Sequence, residues 1–139
     1  MPCECPDGSK NRRWHLDNIG YGGVPNTITG AGVRIGHPDT GFTRHAQLNF
    51  DAAGNSTSFD LSADFNVFDP LSGNAEEGVP AAGAPLTNPF HGTATAGVFV
   101  SQAEGTIDGL APGATVVSIR CVNSVVLIAD INVAQAVVA

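Results

Sequence analysis

Residues 88–99 read NPFHGTATAGVF, and the small residues behind His91 constrain the fold more than any other feature of the chain. Gly92, Thr93, Ala94, Thr95, Ala96 and Gly97 cannot fill a core. At i, i+4 spacing Gly92 pairs with Ala96 and Thr93 with Gly97, on adjacent faces of a helix. A helix of this kind lies unusually close to its neighbours and delivers one imidazole, from its first residue, to a fixed point. With no proline for three turns, the pattern predicts a helix over 91–103.

The flanking segments supply a sheet. GVRIGHPDTG, residues 32–41, reads as a short strand ending in a turn, with Val33 and Ile35 as its β-branched positions. DFNVFD, residues 64–69, is a second strand candidate, with Phe65, Val67 and Asp69 on one side and Asn66 and Phe68 on the other. Four prolines and three glycines make residues 70–90 mostly loop. The Ala111-Pro112-Gly113 turn leads into a strand from Val116 to Val122, and Ser124 suits the N-cap of a final helix through 139. Strand, strand, helix, strand, helix predicts parallel strands joined by crossover helices.

Residues 1–31 are rich in turn formers and form an N-terminal segment. It holds one short bracing helix around RRWHLDNIG, with Trp14, Leu16 and Ile19 on one face and Gly20 as its stop. The final helix has no glycine cap, no basic last turn and no strand to cross to, and it presents Val125, Ile128, Ile131 and Val138. Residues 32–139 are therefore expected to be part of a larger domain, poorly soluble and inactive without the remainder.

Charge and composition narrow the partners. Thirteen acids against six bases leave a net charge of −7, and no basic cluster exceeds Arg12-Arg13, which disfavours nucleic acid. The opening MPCECPDGSK has no apolar signal region, and the apolar stretch 125–139 is interrupted and too short to span a bilayer. The reading is a soluble domain with no membrane partner. Cys3 and Cys5 are too close for an easy disulfide and lack nearby metal partners, while Cys121 reads as a buried thiol. The Asn55-Ser56-Thr57 sequon matters only in an exported chain.

In open parallel sheets functional groups collect beyond the carboxyl ends of the strands. Asp39, in HPDTGF, stands at such an end. His91 opens a helix, where the positive end of the helix dipole favours the neutral imidazole that a general base must be. A carboxylate bonded to its far nitrogen fixes the tautomer and stabilises the imidazolium formed in a reaction.

HPDTG resembles the Asp-Thr-Gly motif of the subtilisin-like serine proteases, the subtilases. HGTATAG resembles their His-Gly-Thr-x-x-Ala-Gly motif, and GLAPGATVVSIRCV their Gly-x-Ala-Pro-x-Ala approach to a strand. WHLDNIG, and the FDP before the long loop, also sit where that family has similar residues, so the likeness runs from about residue 14 onward.

The resemblance implies a parallel, doubly wound α/β domain of subtilisin-like type, here without its C-terminal half. It implies a serine endopeptidase acting on peptides or proteins, with Asp39 orienting His91 as base, no cofactor required, and secretion of the parent enzyme. Structural calcium is a family habit that this chain does not let us place. The family's Gly-Thr-Ser nucleophile motif is not among these 139 residues. The competing expectation is therefore a non-catalytic relative or interaction module. Two departures stand out: His37-Pro38 occupy positions where the family has strand aliphatics, and the separation of Asp39 from His91 implies a loop insertion within 70–90.

Blander readings apply elsewhere. His15 and His45 read as surface or locally bonded residues, and His37, next to the candidate site, as a strand-end packing residue in preference to one that lines the site. Asp60, Asp64 and Asp69 fit no calcium loop and read as solvated acids. GAGVRIG, residues 30–36, is glycine-rich but precedes a strand, the reverse of a dinucleotide fingerprint.

Overall fold

The computed structural model describes residues 14–77, 88–102, 108–124 and 131–138. In chain order the elements are α1 (Trp14–Asn18), β1 (Arg34–Asp39), β2 (Phe65–Asn66), α2 (His91–Val100), β3 (Thr115–Arg120) and α3 (Ile131–Val138). Cys3, Cys5, Val125 and Ile128 lie outside the described residues, as do residues 78–87 of the expected insertion.

The three strands form one parallel sheet in the order β1-β3-β2, and α3 packs against β1. This is an α/β fold with the expected succession of strands and helices. Pro38 sits within β1, paired with Ile119 rather than at the strand's end. Its neighbours explain why that is tolerated. Val33 and Asp39 turn their carbonyls to β3, accepting from Thr115 and Cys121, so alternation points the missing N–H of Pro38 away from the ladder.

The core lies between the sheet and α2. Phe42, Phe50 and Phe59 pack ring against ring with centroids 5.1–5.5 Å apart, roofed by Leu48, Ala96, Val100 and Val116. Gly92, Ala96 and Val100, spaced i, i+4, i+8, form the buried stripe of α2.

Three elements are shorter than the sequence suggests, each for a local reason. β2 stops at Asn66 because its side-chain carbonyl captures the Phe68 N–H and its backbone carbonyl the Asp69 N–H, closing a turn. α2 stops at Val100 because Leu110 and Ala111 donate to the Val98 and Phe99 carbonyls, and Gly109 lies flat against Phe99 where a side chain would not fit. α1 stops at Asn18, which puts Ile19 in the following turn at 64% exposure; Leu16 is buried as expected. His15 also reaches beyond its own segment: its Nε2 meets the Asp108 carbonyl at 2.9 Å and ties α1 to the turn before β3.

Asp64 corrects the reading of solvated acids. Asp60 is paired with Arg34 at 2.7 Å and Asp69 is exposed, but Asp64 is buried. One of its oxygens accepts from the Ser118 N–H, and Oδ1 has no partner among the described residues. Burial pushes its carboxyl up to about 6; the Asp60 and Glu76 charges add to this, and the Ser118 N–H and the Arg44 charge offset part of it. A carboxyl raised on folding contributes stability that is present below its unfolded value, near 3.8, and is lost as pH rises through about 6. Asp64→Asn is therefore expected to stabilise the protein at pH 7.5 by about 2 kcal/mol. The gap should shrink to about a third at pH 4.5 and close only below the unfolded value. Urea unfolding at both pH values checks this, and a gap that does not change with pH would rule out the charge as its cause.

Candidate active site

The two residues singled out by sequence come together. Asp39 ends β1 and His91 opens α2, and His91 Nδ1 lies 2.8 Å from Asp39 Oδ1 and 3.1 Å from Oδ2. Facing a carboxylate, Nδ1 must carry the ring proton, which leaves the lone pair on Nε2. The Asp39 side chain is 13% exposed and that of His91 38%. Among the described residues nothing hydrogen-bonds Nε2, so the ring presents its basic edge outward.

Local structure holds both partners. Asp39 Oδ1 accepts the Thr40 N–H at 2.7 Å, and the Thr40 hydroxyl accepts the Gly92 N–H at 3.0 Å. The Asp-Thr-Gly turn is thereby pinned to the first turn of α2 on either side of the imidazole. A Cβ on Gly92 would press into the Gly41 carbonyl, so the small-residue run has its expected use at this position. Thr93 Oγ1 accepts the Thr43 N–H at 2.8 Å and carries the same seam further.

Phe90 precedes His91 with φ 67°, a left-handed conformation that costs an aromatic residue about 1–2 kcal/mol. Glu77 compensates: its Oε2 accepts the Phe90 N–H at 2.7 Å, while its own N–H is held by the Phe42 carbonyl. The strain sits where the chain must turn sharply to aim His91 at Asp39.

Burial pushes the Asp39 carboxyl up, but hydrogen bonds from His91 and Thr40 and the charges of His37 and His91 outweigh it and hold the carboxyl below its ordinary range. Asp39 is thus a permanent anion at neutral pH. Cys121 is a free, buried thiol near the Asp39 carbonyl, raised by burial and by the Asp39 charge, as its place in an apolar run suggested.

His37 was expected to pack at the strand's end in preference to lining the site, and the structure places it beside Asp39. Its side chain is 9% exposed and reaches Thr95 Oγ1 at 3.0 Å, with Nε2 3.7 Å from Asp39 Oδ2. Burial lowers its basicity, the Asp39 charge opposes this, and the His91 charge adds to it. The signal was in the alternation: 35, 37 and 39 share one face of β1, so His37 had to lie beside Asp39.

His45 is exposed and caps its own turn by accepting the Gln47 N–H. Among the described residues no cluster of three His, Cys, Asp or Glu is placed to hold a metal ion, and no helix is long and apolar enough to cross a membrane. No protein-family model and no curated protein matches this chain, so the arrangement of Asp39 and His91 must be judged on its own geometry.

Proposed function

We propose that Asp39 and His91 are two members of a Ser-His-Asp triad of subtilisin-like type, in a serine endopeptidase. The observation that carries this reading is the 2.8 Å contact of His91 Nδ1 with a nearly buried carboxylate at the carboxyl end of a parallel strand. The nucleophile in this reading is a serine outside these 139 residues, in keeping with an Nε2 that has no partner among the described residues. His91 Nε2 takes the serine proton as Oγ attacks the scissile carbonyl carbon. The imidazolium then gives that proton to the departing amine, leaving an acyl-serine that water hydrolyses by the same steps. Asp39 stabilises the imidazolium throughout. No cofactor enters the reaction.

The test is to read the coding sequence beyond Ala139 and to treat the full-length protein with a fluorophosphonate probe. The expected result is an open frame reaching an Asn and then Gly-Thr-Ser-x-Ala, with one labelled serine and hydrolysis of peptide amides. A stop directly after Ala139, or a full-length protein that takes up no label and cleaves nothing, would overturn the reading in favour of a non-catalytic relative.

A further inference from the structure

The buried His37 is not used by the proposed chemistry, and its surroundings leave it few options. Thr95 Oγ1 lies 3.0 Å from His37 Nε2, 3.2 Å from Asp39 Oδ2, 3.1 Å from the His91 carbonyl and 3.2 Å from the Gly92 carbonyl. The hydroxyl has one proton to give, and the carboxylate and the two carbonyls compete for it. His37 Nδ1 is buried and finds no partner among the described residues.

Consider the two neutral tautomers. With the proton on Nδ1, a buried donor is orphaned and a bare Nε2 lone pair faces the carboxylate at 3.7 Å. Nε2 would then draw the Thr95 proton away from Asp39. With the proton on Nε2, His37 donates to Thr95 Oγ1, and the Thr95 proton is free for the charged acceptor, the best of the three. Only a bare acceptor nitrogen is left without a partner, which is the lesser penalty. Phe99, one helical turn beyond Thr95, meets the His37 ring edge-on at 5.9 Å and holds it in place.

We infer that His37 is a positioning residue: it donates from Nε2 to Thr95, whose hydroxyl then donates to Asp39 Oδ2 and locks the carboxylate plane against His91. Oδ1 takes the Thr40 N–H and Oδ2 the Thr95 hydroxyl, so the carboxylate cannot rotate away from the imidazole between them. Bonds in such a chain polarise one another and favour the ionised carboxylate. The pair spans β1 and α2, the two elements that carry Asp39 and His91, so the same bonds fix their spacing. His37 on β1 and Thr95 on α2 thus form a polar pair that acts on the orienting acid.

The significance for catalysis rests on the protease reading; the network itself does not. The test is NMR on the full-length protein labelled with [15N]histidine and with 13C at aspartate carboxyls. Long-range proton–nitrogen spectra should show His37 protonated at Nε2 and bare at Nδ1. Thr95→Val and His37→Leu should each raise the Asp39 carboxyl midpoint by roughly one pH unit. His37→Gln, whose side-chain amide can still donate to Thr95, should restore it. An Nδ1-protonated His37, or an Asp39 midpoint unmoved in both variants, would overturn the inference. The tautomer needs no variant, so a substitution that fails to fold leaves the question decidable. All these readings are made without substrate, so they decide the network whether or not the protein cleaves peptides.

Discussion

In the full-length protein, the proposed protease chemistry predicts that His91→Ala lowers kcat on an amide substrate by about 10⁶-fold and Asp39→Asn by about 10⁴-fold. The two differ because they remove different things. Without the imidazole nothing accepts the serine proton or protonates the leaving amine. With Asn at 39 the shape is kept and the Thr40 N–H can still be accepted, but an amide N–H₂ can turn toward His91 Nδ1. The imidazole then carries its proton on Nε2 and faces the serine with a donor. KM should hardly move for either, since neither side chain binds the ground state. The His91 side chain is 38% exposed, so its removal leaves no large cavity and the fold should survive by circular dichroism. Single-turnover assays on a chromogenic peptide check both values, and unchanged turnover in His91→Ala would sink the assignment.

Asp39→Asn has a second readout, in stability. The folded Asp39 carboxyl titrates below its unfolded value, so its contribution is complete above the unfolded value and is lost as pH falls through the folded one. Asp64 has the opposite slope, being raised to about 6. The acid limb of the stability profile should therefore flatten in Asp39→Asn and steepen in Asp64→Asn. Two carboxyls of one chain are set apart by their hydrogen bonds: His91 and Thr40 surround the first, while one oxygen of the second is buried unpaired among the described residues.

What was legible in the sequence was whatever repeats or punctuates. β-branched alternation marked β1 and β3, and the proline-free small-residue run marked α2 and, in Gly92 and Ala96, part of the face it buries, while Gly97 of the second pair meets no close neighbour. Asp39 and His91 were legible because each ends or begins an element that backbone chemistry identifies. Legibility failed where side chains compete with the backbone. Asn66 ends β2 by taking the Phe68 N–H, and the segment 109–111 ends α2 by taking its last carbonyls. Neither event leaves a periodic trace. The aromatic core was missed for a related reason: Phe42, Phe50 and Phe59 sit in loop and bridge residues, where period-based reading has nothing to count. His37 was read through Pro38 as a strand-end residue, whereas alternation from Asp39 alone would have turned it inward.

Gly92→Ala is expected to destabilise the protein by about 3 kcal/mol. The added Cβ meets the Gly41 carbonyl oxygen and lies 3.2 Å from Asp39 Oδ1. Neither can retreat. Gly41 holds φ 105° and itself lies against the Ala75 carbonyl, while the Phe42 N–H and carbonyl are both bonded to residues 75–77. The helix must lift instead, stretching the Gly92 N–H bond to Thr40 and carrying His91 from Asp39. A displacement near 1 Å should lower kcat by about 10²-fold in molecules that still fold. Gly97→Ala, on the same helix, is the control. There the nearest atom is Leu48 Cδ2 at 4.0 Å, so the methyl meets ordinary contact and the better helix propensity of alanine should add about 0.5 kcal/mol. Urea unfolding of both variants separates two explanations of the small-residue run. Opposite signs mean that close approach at Gly92 seats the imidazole, whereas equal losses would mean that the helix merely tolerates no added bulk.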